Sequence, residues 1–120
     1  MITDDEIKAA GAAVAPRITP ADIQANIASE HYFTAGDGVH AQKTERGSNA
    51  TSHYPRTLDH LTFCVLVLRN GFTVTGESAC ASPENFDAEM GRKIARANAV
   101  NKIWPLMGYA LKQRLHENAN

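Results

Sequence analysis

The residue types that most often carry nucleophilic or metal chemistry are thiols and imidazoles, and this chain has two cysteines and five histidines. His53, His60 and Cys64 lie near one another in sequence, and His31, Asp37 and His40 form a second group. Neither group has the paired close spacing of a structural zinc site, so no metal is expected. A nucleophile needs a base and an orienting acid. The arrangement that can be drawn is Cys64 with a loop histidine and Glu77, which a tight hairpin would put across the ladder from Cys64. Glu77 near a strand end reads more simply as a solvated side chain, and Cys64 and Cys80 as buried, inert thiols. The expectation is a protein that is not an enzyme and that holds no cofactor.

Two clusters could bind rather than react. In Thr34-Ala35-Gly36-Asp37-Gly38, glycines allow backbone N–H groups to approach an anion closely. No strand is expected before them, so neither a P-loop nor a Rossmann turn fits. The preceding His31, Tyr32 and Phe33 offer stacking and hydrogen-bonding groups. His31, Tyr32, Thr34, Gly36, Asp37 and Gly38 therefore form the candidate ligand site, with arginines of the long helix as charge partners. The second cluster is Arg92, Lys93 and Arg96, a basic helix face that could follow a phosphate backbone. Glu89 stands four residues before Lys93, as on an ordinary solvated face. A net charge of −1 argues against bulk attraction to nucleic acid, which places that partner behind a protein or a small molecule.

The elements that must position these residues follow from caps and periodicity. Thr3 and Glu6 make a capping-box pair ahead of an alanine-rich helix that stops before Pro16. Thr19-Pro20 with Asp22 starts a second helix, whose stripe Ile23, Ile27, His31 carries it to about residue 30 or 31. Gly36-Asp37-Gly38 then ends it. Residues 39–60 are polar and rich in turn formers, a flexible loop. Two apolar runs, 61–68 and 72–79, flank Asn70-Gly71, the signal for a two-residue type I′ hairpin. That turn pairs Leu68 with Thr73 and Val67 with Val74. Leu61, Phe63, Val65, Val67, Phe72 and Val74 then make a core face.

Ser82-Pro83-Glu84 opens a long helix with Phe86, Met90, Ile94, Ala97 and Trp104 along its apolar stripe, joined by Val100 and Ile103. Pro105 is expected to break or kink it. A last helix carries Leu106, Leu111 and Leu115, and the end frays from about residue 116 to 120. The fold class is α+β: a single small domain spanning 1–120, order α-α-β-β-α-α, its antiparallel hairpin packed on a long C-terminal helix. A lone hairpin is marginal and both its strands are edges. Its second face, with Cys64, Leu66, Leu68, Thr73 and Thr75, is the expected contact of a homo-oligomer.

The stretches 61–80 (LTFCVLVLRNGFTVTGESAC), 83–96 (PENFDAEMGRKIAR) and 102–106 (KIWPL) resemble a family of small tailed-phage proteins. Residues 31–38 (HYFTAGDG) resemble a further block of it. The family is the phage "protein 49 / gene 66" group, after members in coliphage N-four and Shigella phage Sf-six. The resemblance covers about two-thirds of the chain and implies a phage or prophage origin and the host bacterial cytoplasm. It implies no activity, so it assigns no catalytic residue. An acidic start, Asp4-Asp5-Glu6, and a longest apolar run of only 63–68 fit neither a signal peptide nor a membrane span. Together these point to a non-enzymatic binding protein that acts on a host protein or sequesters a small, nucleotide-like ligand. The alternative is a nucleic-acid accessory protein.

Overall fold

A computed structural model describes residues 2–3, 5–6, 15–45 and 53–119. At its N-terminal end the Glu6 N–H donates to Thr3 Oγ1 (3.2 Å), the expected cap. The helix expected after it falls on residues 7–14, outside the described residues. Helix α1, Pro20–Ala25, starts as its sequence dictates. The Asp22 N–H donates to Thr19 Oγ1 and the Thr19 N–H to the Asp22 carboxylate, at 3.2 and 2.9 Å. This helix stops at Asn26, short of residues 30–31. Ile27–Thr34 is instead strand β1, and helix α2, Ala35–Glu45, begins at the glycines expected to end a helix. Tyr32, Phe33 and Thr34 suit a pleated strand, and the neighbouring strand supplies the backbone partners that an isolated reading cannot see. Thr34 and Asp37 exchange two hydrogen bonds of 3.0 Å and so cap α2. Of the expected 39–60 loop, residues 39–45 are helical and Arg56–His60 forms a 3-10 turn.

Strands β2 (Leu61–Leu68) and β3 (Thr73–Ala79) complete a three-stranded antiparallel sheet in the order β1-β2-β3. β2 is therefore central, not an edge. The turn has three residues rather than two. Gly71 donates to the Leu68 carbonyl (2.9 Å), and the Leu68 N–H to the Phe72 carbonyl (2.8 Å). Only Gly71 has a positive φ, 89°, as in a type I turn closed by a left-handed glycine. The extra residue moves the register by one, to Val67 opposite Thr73 and Leu66 opposite Val74. A slip of one residue exchanges the faces of a strand. Thr73, Thr75 and Glu77 thus share a face with Val67, Val65 and Phe63, while Gly76 faces the same way as Cys64.

The buried face of β2 is also the reverse of the expectation. Thr62, Cys64, Leu66 and Leu68 are buried, Cys64 and Leu66 completely. Cys64, Leu66 and Leu68 belong to the core and are not an oligomer surface. They are covered by α3, Ala88–Asn118, a helix of 31 residues. Asp87 rather than Ser82 caps α3, Oδ1 accepting from the Glu89 and Met90 N–H groups. Pro83–Asn85 forms a separate 3-10 turn. Pro105 lies inside α3 without ending it, and the helix extends through Asn118, past the expected fraying point.

The line of α3 that meets the sheet is Gly91, Ala95, Ala99 and Ile103; of the expected stripe Ile103 lies on it and Val100 and Trp104 pack beside it, while at Met90 and Ile94 the buried line runs one residue further on. Met90 and Ile94 are exposed. Gly76 explains the choice. A Cβ there would overlap the Ala95 carbonyl oxygen and the Ala99 amide nitrogen and would come within 2.9 Å of the Asn98 carbonyl carbon. A strand glycine facing alanines lets the two backbones approach closely. Asn98 locks the contact by donating to the Glu77 carbonyl (2.8 Å). The residues so enclosed, Ile23, Leu66 and Ile103, each contribute about 1.5–3 kcal/mol of hydrophobic stabilisation.

Candidate functional site

Strand β1 splits the ligand cluster expected from the sequence. Its side chains alternate, so His31 and Phe33 point to the outer sheet face, away from α3, beside Val65 and Phe63. Tyr32 and Thr34 point inward beside Cys64 and Thr62. Gly36 is buried, and a Cβ there would overlap Asp59 Oδ1 and approach the Tyr54 ring within 2.9 Å. A Cβ on Gly38 would just touch the Phe33 ring, at 3.9 Å. Gly36 is therefore a packing position, whereas exposed Gly38 would accept a Cβ at ordinary contact distance. Asp37 is engaged in capping α2: its carboxylate accepts from the Thr34 N–H and its own N–H donates to Thr34 Oγ1.

Tyr32, Thr34 and Asp37 do meet Arg92 in one cleft, completed by Thr62, Phe86 and Ala88. This is the juxtaposition of ligand cluster and helix arginine expected above. Its volume decides its use. About 120 Å³ is well below the roughly 300–1,000 Å³ that enclose a drug-sized or nucleotide-sized ligand.

Behind the cleft runs a polar network. Tyr32 donates to Glu30 Oε1 (2.9 Å), and Arg96 Nε donates to Glu30 Oε2 (3.1 Å). Arg96 Nη2 also donates to Gln24 Oε1 (2.7 Å). One guanidinium thus ties α1, β1 and α3 together. Burial and the Glu30 hydrogen bond push the Tyr32 hydroxyl up to about 12. The same hydrogen bond from Tyr32, against the opposing effect of burial and with help from Arg96, lowers the Glu30 carboxyl. Burial raises the Cys64 thiol, the opposite of an activated nucleophile.

Of the expected basic face, Arg92 and Lys93 are exposed and Arg96 is half-buried. Arg96 is held by Glu30 and Gln24, Lys93 lies 3.7 Å from Glu89, and Arg92 lines the cleft. The catalytic arrangement does not form: Glu77 stands opposite Phe63, and Cys64 opposite Gly76. No group of three or more potential metal ligands occurs among the described residues. None of their helices is long and apolar enough to cross a membrane.

The larger feature is the outer sheet face. Its rows are Phe33–Phe63–Glu77, His31–Val65–Thr75 and Ser29–Val67–Thr73. Phe33 and Phe63 stack at 5.5 Å with 25° between their planes, and Phe33 is 40% exposed. His31 Nε2 lies 3.0 Å from Ser29 Oγ. α2 stands at the Phe33 end. Val65 and Val67 are half-buried, and the residues flanking them in their rows, His31, Thr75, Ser29 and Thr73, are exposed. The sequence reading placed Phe63, Val65 and Val67 in the core. The signal that could have corrected it is the run Tyr32-Phe33-Thr34, whose strand preference supplies the third strand.

Among curated proteins and among solved structures, none matches the chain. Residues 18–115 match a family model, a span that covers all three strands and nearly the whole of α3. With 98 of its 120 residues matched, the chain belongs to the phage protein (N4 Gp49/phage Sf6 gene 66) family.

Proposed function

We propose that this phage protein is a non-enzymatic binding protein that docks a protein partner of the infected bacterium, in the host cytoplasm, on the outer face of its sheet. The observation that supports the reading is the outer-face stack of Phe33, 40% exposed, on Phe63, with the half-buried Val65 and Val67 rows beside it. An exposed apolar patch with a polar rim marks an interaction surface. Here His31, Thr73, Thr75 and Glu77 supply the rim. Aromatic and β-branched side chains on a rigid sheet lose little entropy on docking. A flat face also suits a protein better than a small molecule, and the cleft on the α3 side of the sheet, about 120 Å³, is too small for a nucleotide. Stacked phenylalanines on a sheet are a surface on which bases can lie, but single-strand binders pair them with a cationic groove. In this face the charged member of the rows is Glu77.

The test is affinity capture from a bacterial host extract by the whole chain and by Val65→Glu. A protein retained by the wild type at stoichiometric level, and lost at least tenfold with Val65→Glu, supports the reading. Capture unchanged by the substitution sinks it. So does recovery of nucleic acid whose retention falls steeply with salt, which identifies the accessory-protein alternative.

A further inference from the structure

At about 46 Å, α3 is much longer than the eight-residue strands it covers, about 27 Å each. Its buried line ends at Ile103, and the same spacing of four continues through Met107 and Leu111, both half-buried. There the helix borders a cavity of about 540 Å³, shared with the segment that leads into α1 and with Arg69 of the hairpin. Ile18, Met107 and Leu111 supply its apolar lining, and Ile18 and Met107 also pack against the core.

Three arginines from distant parts of the chain, Arg17, Arg69 and Arg114, line the same cavity. Among the described residues around it the carboxylate is Asp22, which is engaged at its own helix start by accepting from the Thr19 N–H (2.9 Å). The lining thus carries three positive charges against one negative, in a chain whose net charge is −1. A cleft lined by one sign of charge concentrates ions of the other. Arg69 is set in place for that role. Its backbone N–H donates to the Asn26 carbonyl (3.0 Å) and its Nε to the Ala25 carbonyl (2.8 Å). With Nε committed, the fork of its two Nη groups is restrained, and no described residue accepts from it. Arg56 and Arg96, by contrast, pair with Asp59 and Glu30. Arg114 is exposed and makes no hydrogen bond or ion pair among the described residues.

We propose that this cavity binds a small organic phosphate of mononucleotide size, its phosphate among Arg69, Arg114 and Arg17 and its uncharged body on Ile18, Met107 and Leu111. A guanidinium fork suits two phosphate oxygens at once. A phosphate monoester carries about −1.5 to −2 charges at pH 7, which matches a lining of three positive charges and one negative better than a single carboxylate does. The volume agrees. About 540 Å³ falls within the roughly 300–1,000 Å³ of pockets that enclose small ligands, whereas the cleft at Tyr32 and Arg92 does not. Arginines alone would hold inorganic phosphate equally well, and the apolar lining is what favours an ester with a body to bury. None of the lining residues belongs to the outer sheet face, so this site stands or falls apart from the docking proposed above.

Isothermal titration calorimetry of the whole chain at low salt tests the site. The probes are the four ribonucleoside 5′-monophosphates, ribose 5-phosphate, inorganic phosphate and adenosine. Expected is at least one ester bound with a Kd below about 1 mM, weakened about tenfold or more in Arg114→Gln and in Arg69→Gln, each of which removes a charge-assisted donor. Because Arg114 has no partner among the described residues, its replacement reads binding without disturbing the fold. Arg92→Gln, in the smaller cleft, should leave the affinity unchanged. Inorganic phosphate should bind about tenfold more weakly than the best ester, since it forgoes the apolar lining. Whether a nucleotide or the sugar phosphate binds best identifies the source of the ester. Absence of binding by all five esters up to about 10 mM overturns the proposal. So does an affinity that neither Arg114→Gln nor Arg69→Gln changes, or inorganic phosphate or adenosine binding as tightly as the best ester. A short single-stranded oligonucleotide held about a hundredfold tighter than its monomers overturns it too, by making the cavity part of a nucleic-acid groove.

Discussion

Replacing Gly76 by alanine tests the packing argument at its tightest point. The new Cβ would overlap the Ala95 carbonyl oxygen and the Ala99 amide nitrogen, both backbone atoms of α3 with no rotamer by which to escape. To restore van der Waals distance the helix must withdraw from β3 by about 1 Å, a gap that forfeits a quarter to a half of each dispersion contact across it. The contacts at risk are those of Leu66, Val74, Ala95, Ala99 and Ile103, together with the Asn98 hydrogen bond to Glu77. Overpacking a core costs about 1–3 kcal/mol where side chains can adjust, and a backbone clash belongs at the upper end, about 3 kcal/mol. At roughly 2.1 cal/mol/K per residue, 120 residues give an unfolding entropy of about 0.25 kcal/mol/K, so the melting temperature should fall by about 12 °C. Thermal and urea unfolding followed by circular dichroism give both quantities. Thr75→Ala, on the outward side of the same strand, serves as the control and should change stability by less than about 1 kcal/mol. A Gly76→Ala melting point within about 3 °C of wild type would refute the close approach of α3 to β3.

Two further expectations concern titration and thiol access. Tyr32 has its hydroxyl pushed from 10.0 up to about 12 by burial and by Glu30, so its contribution to stability is complete below pH 10 and is lost as pH rises through about 12. Tyr32→Phe should therefore flatten the alkaline loss of stability between pH 10 and 12 in urea titrations, and an unchanged slope would contradict the Tyr32–Glu30 pairing. Of the two free thiols, Cys64 is fully buried and Cys80 is partly exposed; an aromatic disulfide reagent should titrate one thiol in the native protein within minutes and the second only in denaturant, and mass spectrometry should find the first label on Cys80.

Several parts of this molecule follow from short stretches of chain. Thr19-Pro20 with Asp22 starts α1, and the run Leu61–Leu68 followed by Asn70-Gly71 makes a strand and a hairpin. A helix after residue 86 follows from its apolar periodicity, but its continuation through Pro105 to Asn118 does not. These are local decisions, taken by caps, glycine φ and backbone hydrogen bonds within a few residues. The α+β class was legible for the same reason, and the phage relationship through the resemblance of residues 31–38, 61–80, 83–96 and 102–106 to the family.

The remainder depended on contacts distant in sequence. Ile27–Thr34 carries a weak helical pattern and becomes a strand because β2 offers it a complete ladder. The hairpin turn takes three residues rather than two, with Arg69 held by Asn26 and Ala25 across more than forty residues. That single residue moves every β3 side chain to the other face. The two faces of β2, Leu61, Phe63, Val65 and Val67 against Cys64, Leu66 and Leu68, are nearly equal in apolarity, so alternation could not choose between them. Tertiary structure chose through Gly76, which opens one side of β3 to the backbone of α3. It therefore buried Leu66 under Ala95 and Ala99 and left Val65, Val67 and the Phe33–Phe63 stack facing outward.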